Sequence, residues 1–191
     1  SPYKLITTAK KSEDNTYWAT FSNQTSDVTL SVPSTRTLTV YNATVSGGKL
    51  TLSTRTDNQV AMGEGVLLKT DGEYVNFKAN ESNGLSKVNY AYNNLVATPA
   101  TAQTVTADDG YKLYRLTYNK VNSQEKLGFY LSLVKDENNK VDASSVGIKL
   151  KATPGKAYLK VASEQAASVP AGAAVRGFSF PDDDGETTDI E

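Results

Sequence analysis

Residues 65–77, GVLLKTDGEYVNF, decide the fold class of this chain. The pair Asp71-Gly72 is favoured in two-residue hairpin turns, because both turn positions need a positive φ. After this pair, apolar Val75 and Phe77 alternate with more polar neighbours, as they do in a strand with one buried face. The stretch therefore predicts a β-hairpin, and with it a protein built from sheets.

The same period of two predicts a second hairpin upstream. Residues 38–45 and 50–52 read as its two strands, and the glycine-containing residues 46–48 read as its turn. The apolar phase of the first strand shifts between Val40 and Tyr41. We expect a β-bulge at that point, because one extra residue would return the following side chains to the buried face.

Further segments continue the pattern along the chain. They are a half-buried strand at 28–32 that ends at Pro33, a third hairpin at 111–118 and 126–133 around a polar loop at 119–125, a solvated turn at 136–140, and strands at 156–161 and 175–180. Helical signals are confined to one turn at 163–167, with Ser163 as its cap and Pro170 beyond it.

Many short strands with closely spaced turns predict an all-β fold with little or no helix. The architecture is an antiparallel β-sandwich or a partly open barrel built from hairpins, and both bury alternating faces. We expect a single all-β domain at 17–181, preceded by a polar lead-in or linker at 1–16. An acidic flexible tail follows at 182–191. The chain opens at Ser1 with no signal peptide, which indicates a mature fragment.

The chain contains no histidine and no cysteine. This composition removes the imidazole general base, the Ser-His-Asp triad, the thiolate nucleophile and the Cys/His zinc site. We therefore predict a protein that is not an enzyme and that carries no cofactor.

Charge and hydropathy exclude two further classes of partner. The 20 basic and 21 acidic residues give a net charge of −1, and the lysines and arginines are scattered. A nucleic-acid-binding protein would cluster them on one face, so we predict no nucleic-acid partner. No apolar run approaches the roughly 18 residues of a membrane span.

Paired carboxylates are the remaining route to catalysis. Glycoside hydrolysis uses two acids about 5–10 Å apart, and Glu64, Glu73, Asp108 and Asp109 are the candidates. The last two precede a glycine and read as turn residues. A glycoside hydrolase-type enzyme is therefore kept only as an alternative.

The acidic run near the C-terminus suggests a cation site. Asp182 and Asp184 fall on the third and fifth positions of an EF-hand loop whose twelfth position is Glu191. The first position is then Phe180, which cannot ligate a cation. An acidic tail in water is the simpler interpretation, and the two aspartates remain candidates for a weak calcium site.

Exposed aromatics are the candidate ligand-binding groups. Trp18 follows Tyr17, so in a strand the two side chains face opposite sides. Tyr90 and Tyr92 lie in a polar segment rich in asparagine, and aromatic faces beside amides suit sugar binding. The alternative is that these tyrosines anchor sheets with their hydroxyls at the wet rim. Trp18, Tyr90 and Tyr92 therefore define a second function hypothesis, a carbohydrate-binding module.

A set of segments in a particular order resembles a known family. The segments are YWATF at 17–21, ATVSGG at 43–48, GEGVLLKTDGEY at 63–74, NNLV at 93–96, GFY at 128–130, KAYLKV at 156–161 and RGFSF at 176–180 before the acidic run. In this order they resemble a β-rich domain near the C-termini of secreted and surface proteins of Bacteroides-type gut bacteria. The family has no assigned catalytic residues, so the resemblance transfers no site residue.

The resemblance implies a non-catalytic extracellular or cell-surface module that presents or anchors a larger bacterial protein and aids adhesion. Its expected partners are neighbouring domains of that protein, together with host or dietary glycans or proteins. Residues 119–146 are longer than the family's spacing, and their role is left open at this stage.

Overall fold

A computed structural model describes residues 4–7, 9–10, 14–166, 177–180 and 186–188. These residues form seventeen strands. In chain order they are β1 (Lys4–Thr7), β2 (Ala9–Lys10), β3 (Tyr17–Phe21), β4 (Val28–Ser31), β5 (Leu38–Ser46), β6 (Lys49–Thr54), β7 (Gln59–Val60), β8 (Val66–Thr70), β9 (Tyr74–Ala79), β10 (Leu95–Ala97), β11 (Gln103–Thr106), β12 (Tyr111–Val121), β13 (Gln124–Leu131), β14 (Lys149–Ala152), β15 (Ala157–Ala162), β16 (Gly177–Ser179) and β17 (Glu186–Thr188).

The strands form four antiparallel sheets. Sheet A has the order β1-β9-β4-β7, sheet B β17-β6-β5-β8-β3-β2, sheet C β10-β15-β12-β13-β16, and sheet D β11-β14. Helical structure in the described residues is limited to the 3₁₀ turns Tyr90–Tyr92, Ala143–Ser145 and Ser163–Gln165. The last of these is the predicted helical turn, although its N-cap is Ala162 and no side chain caps it. The predicted all-β class is confirmed.

The sheets stack as layers, and each interface between layers has its own apolar cluster. Sheets A and B enclose one cluster, which includes Phe21, Leu30 and Val75. Sheets B and C enclose the largest, which includes Trp18 and Phe129. Sheets C and D enclose a third, small cluster. Sheet B is thus an inner layer with both faces buried, in a sandwich-like arrangement.

The burial of both faces of sheet B explains two features of the sequence. In β8, Val66 and Leu68 face sheet A, whereas Leu67 faces sheet C, so the apolar run is continuous rather than alternating. In β5, Val40 faces sheet A and Tyr41 faces sheet C, while the strand keeps an uninterrupted register. The bulge predicted between Val40 and Tyr41 is therefore wrong.

The predicted hairpin at 65–77 is also wrong, because its two strands belong to different sheets. β8 pairs with β3 and β5, and β9 pairs with β1 and β4. Asp71 accepts the Thr37 amide at 3.1 Å, and its carboxylate lies 3.6 Å from the Arg36 guanidinium. Gly72 has no positive φ. A Cβ on Gly72 would meet Arg36 at 2.4 Å. Asp71 and Gly72 thus provide the carboxylate and the space that hold Arg36 where the chain crosses from sheet B to sheet A.

The other two predicted hairpins are confirmed. β5 and β6 turn at Gly47 and Gly48, with φ values of 58° and 75°. β12 and β13 turn at Asn122 and Ser123, with φ values of 51° and 67°. β12 and β13 therefore pair through most of the predicted polar loop at 119–125, and only a two-residue turn remains between them.

Two predicted boundaries need correction. Within the predicted lead-in 1–16, β1 pairs with β9 and β2 pairs with β3, so this segment contributes to two sheets. Within the predicted flexible tail 182–191, β17 pairs with β6 at the edge of sheet B. Both ends of the domain therefore extend beyond residues 17–181.

Candidate functional site

Trp18 lies in the core between sheets B and C with 1% of its surface exposed. Its ring stacks on Tyr41 at 5.9 Å and packs against Phe180 at 4.5 Å between centroids. The indole Nε1 donates a hydrogen bond to the Thr16 hydroxyl at 3.0 Å. With so little surface exposed, Trp18 presents no flat ring face to a sugar in solvent, although it is one of the residues that line the first cavity described below.

Tyr90 and Tyr92 share the 3₁₀ turn that precedes β10. Tyr92 is 71% exposed and Tyr90 is 42% exposed. The Tyr90 hydroxyl donates a hydrogen bond to the Lys160 carbonyl. Burial of that hydroxyl, with a smaller contribution from Tyr111, raises the pKa of Tyr90 to about 12. Tyr90 therefore anchors the turn to β15, whereas Tyr92 presents its ring to solvent.

The amides next to these tyrosines are used to hold the backbone. Asn93 Oδ1 accepts the Ala43 amide at 3.2 Å, and its Nδ2 donates to the Gly65 carbonyl at 2.8 Å. Asn94 Oδ1 accepts the Val45 amide at 2.8 Å, and its Nδ2 donates to the Tyr90 carbonyl at 2.8 Å. These two side-chain amides are therefore occupied by the backbone. Of the aromatic and amide groups predicted to bind a sugar here, only the Tyr92 ring is available.

The predicted cation site falls outside what the structure describes. Asp182 and Asp184 lie in residues 181–185, which are not described. Phe180, on the first EF-hand position, is 3% exposed and packs against Phe129 and Trp18. Within the described ranges, no group of three or more acidic side chains is arranged to hold a metal ion.

The four carboxylates considered for glycoside hydrolysis have separate surroundings. Glu64 is 3% exposed, whereas Glu73 and Asp109 are exposed to solvent. Asp108 is exposed too and pairs with the Lys160 ammonium at 2.5 Å. None of the four lines any of the three cavities described below.

Two buried carboxylates, Asp27 and Glu64, accept hydrogen bonds from backbone amides. We call these two residues, together with Arg55, the carboxylate hub. Asp27 is 1% exposed and accepts the amides of Met62 and Leu85, each at 2.7 Å. Sequence analysis did not single it out, because an aspartate before a strand has no distinctive pattern.

Glu64 is the second carboxylate of the hub, and it lies two residues after Met62 in the chain. Its carboxylate accepts the amides of Ala61 at 3.2 Å and Val88 at 2.7 Å. It also lies 2.9 Å from the Arg55 guanidinium, which donates to the Gln59 carbonyl. Together with Asp27, Glu64 fastens the irregular segment 80–88, which has no strand of its own, to the rest of the fold.

A different arrangement occurs where sheets B, C and D meet. A cavity of about 360 Å³ has walls from β3, β12, β14 and β15, and it adjoins two others of about 380 and 310 Å³. Lys151 lines all three. We call the first cavity, with its cations Arg115, Lys151 and Lys156, the cationic groove. Apolar side chains also line it, Leu116 and Leu150 among them, and we call these apolar residues its floor.

The groove opens because β15 separates from β12. The two strands pair only as far as Tyr114 and Leu159. The start of β15 is bound instead to sheet B, since the Ala157 amide donates to the Thr20 hydroxyl at 3.1 Å. The Ser22 hydroxyl likewise donates to the carbonyl of the preceding residue at 2.5 Å. The diverging strands leave a wedge between them.

The cations of the groove have no acidic partner. Arg115, Lys151 and Lys156 form no side-chain hydrogen bond or ion pair with the part of the chain that the structure describes. Asp136, in the adjoining cavity, is the one carboxylate among the lining residues of the three cavities. Burial lowers the pKa of Lys156, because desolvation disfavours its charged form.

No helix in the described residues is long and apolar enough to cross a membrane. Comparison of the chain with protein-family models, with curated proteins and with solved structures gave no match.

Proposed function

We propose that this chain is a non-catalytic module of a larger extracellular or cell-surface bacterial protein, which it presents or anchors and to which it adds adhesion. The observation that carries the proposal is the division of the charged side chains. The buried carboxylates Asp27 and Glu64 are bound to backbone amides, while the open groove contains cations without a neighbouring acid. Such a site suits binding, because general acid–base catalysis needs a poised proton donor and acceptor.

Composition and layering support the same conclusion. A chain without histidine or cysteine has few groups that exchange protons or form covalent intermediates near neutral pH. A stack of sheets with several apolar clusters provides a stiff body of the kind that display modules need. The surface location and the larger parent protein in this proposal rest on the resemblance of the ordered sequence segments to the Bacteroides-type domain.

Location and parent size are tested in the bacterium that encodes the chain. An antibody raised against the chain is used to blot whole cells before and after protease treatment of intact cells. We expect a band well above the 20.5 kDa of this chain, which disappears when protease is added outside the cell. A band of 20.5 kDa that protease leaves intact would exclude a surface module of a larger protein.

The glycoside hydrolase alternative is tested separately. We expect no turnover on a panel of reporter glycosides. If weak turnover is found, Glu64→Gln and Asp27→Asn are assayed at a temperature where both variants remain folded. Loss of turnover in these variants without loss of structure would assign catalysis to the hub and overturn the non-catalytic proposal.

The exposure of Tyr92 favours a second candidate function, glycan binding at the 3₁₀ turn. On a glycan array, Tyr92→Ala should abolish a signal that Tyr92→Phe retains, because the phenylalanine ring still stacks on a sugar. Trp18 fluorescence is a poor reporter for this site, since Trp18 is buried in the core whereas Tyr92 lies at the surface. An array on which the wild-type chain binds nothing would remove this candidate.

A further inference from the structure

We propose that the cationic groove binds an extended acidic peptide segment, which adds a strand to the open edge of β12 and places an apolar side chain on the groove floor. The inference rests on the groove and not on a surface location, so either proposal can fail without the other. It specifies the chemistry of the partner through three features of the groove: a strand edge, an apolar floor and unpaired cations.

The strand edge is established by the lining of the cavity. Residues 115–118 all contribute to its wall. Successive side chains of a strand point to opposite faces, so only a cavity along the edge of a strand touches four consecutive residues. β12 pairs with β13 along this stretch, but its pairing with β15 ends at Tyr114. No other described strand pairs with this side of β12.

The hydrogen-bonding groups on this edge are assigned by the alternation of the ladder. The Leu113 carbonyl accepts the Ser132 amide, on the side of β13. Backbone groups of an antiparallel strand alternate between its two neighbours, so Leu116 and Tyr118 direct their N–H and C=O groups towards the groove. Unpaired strand edges of this kind are templates for a further strand.

The floor selects an apolar side chain on the incoming strand. Leu116, Leu127, Leu150 and Tyr158 line the same cavity as the open edge. A cavity of about 360 Å³ lies in the range of small-ligand pockets, which favour apolar groups among a few polar ones. Main-chain pairing supplies affinity, and such a side-chain pocket supplies specificity.

The cations select carboxylates around that side chain. Arg115 is on the edge strand and Lys151 is on β14, and both side chains are exposed to solvent. Lys156 has a backbone fixed by Ser22 and Thr98, while its ammonium has no partner in the described chain. Holding a half-buried ammonium without a counterion costs free energy, which an acidic ligand would recover.

Charges on an open edge also prevent non-specific pairing between proteins. That explanation accounts for lysines on a flat, solvated edge, and exposed Lys120 further along β12 fits it. Lys151 on β14 and Lys156 directly before β15 differ, because they reach the groove from outside the edge strand and line it together with apolar side chains.

The test measures binding of a short fluorescein-labelled peptide in which Glu and Thr alternate around a central Leu. Polarisation should rise with the full chain and fall with added salt, as expected for charge pairing. The matching peptide with Gln in place of Glu should bind about tenfold more weakly, a difference of about 1.4 kcal/mol that several charge-assisted contacts can supply together. Equal binding of the two peptides would contradict the assignment.

Variants locate the peptide on the protein. Arg115→Gln combined with Lys151→Gln should weaken the Glu peptide by about tenfold or more. Lys87→Gln serves as the matched control, because Lys87 is exposed in the segment 80–88 and lines no part of the groove. Thermal melting of each variant confirms that it is folded. Retention of full affinity by the double variant would overturn the proposal.

Amide hydrogen exchange separates strand addition from simple charge attraction. With the Glu peptide bound, exchange should slow at Leu116 and Tyr118, whose N–H groups face the groove. A sulfated polysaccharide is tested in parallel, because it offers anions without a peptide backbone. Binding of either ligand without protection of these two amides would replace strand addition with an anion site and overturn the inference.

Discussion

The carboxylate hub and the cationic groove use charge in opposite ways. In the hub, Asp27 and Glu64 are almost completely buried, and their oxygens accept backbone amides and an arginine. In the groove, Arg115 and Lys151 surround an apolar floor and find no partner among the described residues.

The difference separates charge that stabilises the fold from charge that is available to a ligand. A buried, fully bonded carboxylate replaces water with protein donors, so its removal leaves those donors unsatisfied. Of the groove cations only Lys156 is partly buried, so its charge has lost water without gaining a counterion and its removal relieves a cost, whereas Arg115 and Lys151 are exposed to solvent. Removal of a hub carboxylate should therefore lower stability, removal of the Lys156 charge should raise it slightly, and removal of the exposed Arg115 and Lys151 charges should leave it unchanged.

The largest expected effect is at the ion pair of the hub. Glu64→Gln leaves Arg55 buried without its counterion and should lower the free energy of unfolding by about 3–5 kcal/mol. Urea unfolding measures the change, with Glu73→Gln as the exposed control. A loss no larger than that of the control would show that Glu64 does not stabilise the fold.

Asp27→Asn tests the other half of the hub. The NH₂ group of the new asparagine would face the backbone N–H of either Met62 or Leu85. We therefore expect the free energy of unfolding to fall by about 2–3 kcal/mol. Hydrogen exchange should also accelerate at Leu85, because segment 80–88 is less firmly held. Asp109→Asn is the exposed control. Unchanged exchange at Leu85 would contradict the anchoring role of Asp27.

Arg36 extends the comparison, because this cation is used structurally. Its guanidinium donates to the Thr70 hydroxyl at 2.9 Å and to the Tyr74 carbonyl at 2.6 Å, directly above Gly72. Gly72→Ala should displace it and lower stability by about 1–2 kcal/mol. Gly84→Ala is the matched control, since nothing lies within 4 Å of a Cβ there. Equal stability of the two variants would mean that Arg36 adapts without loss.

A smaller change of opposite sign is expected in the groove. Lys156→Met introduces an apolar side chain of similar length and removes a charge that is partly desolvated, the desolvation that lowers the pKa of this lysine. Stability should rise by no more than about 1 kcal/mol, because solvent screens a half-buried ammonium. Calorimetric melting measures the shift. A clear loss of stability would show that the Lys156 charge is satisfied in the fold.

The smallest effect concerns Tyr90 at alkaline pH. Its pKa is raised from 10.0 to about 12, so the unfolded chain releases this proton first. The contribution of Tyr90 is complete below about pH 10 and declines as the pH rises towards 12. Burial also raises the pKa of Tyr41, Tyr130 and Tyr158, so the late rise in tyrosinate absorbance should be smaller by one tyrosine in Tyr90→Phe. A variant with the same titration curve as the wild type would contradict the raised pKa.

The sequence predicts strands better than it predicts their partners. Gly47-Gly48 gave the correct turn, because its glycines adopt the positive φ that this turn needs. Asp71-Gly72 offered the same local signal, but the chain crosses between sheets there and Arg36 occupies the space above the glycine. The signal against a hairpin was the continuous run Val66-Leu67-Leu68, which is typical of a strand with two buried faces.

Sequence patterns could not predict the cationic groove, for a related reason. Arg115 lies on β12, Lys151 on β14 and Lys156 directly before β15, and only the divergence of β12 and β15 brings them to one cavity. Conversely, the sequence left open whether Tyr17 or Trp18 is buried, because the neighbours of Trp18 in space, Tyr41 and Phe180, come from distant parts of the chain.

The division of charge is tested most directly by measuring stability and peptide affinity on the same two variants. Glu64→Gln and the double variant Arg115→Gln with Lys151→Gln are each unfolded in urea and titrated with the Glu-containing peptide under folding conditions. The hub variant should lose stability and keep its affinity, whereas the groove variant should keep its stability and lose its affinity. A groove variant that is less stable but binds normally would contradict the account.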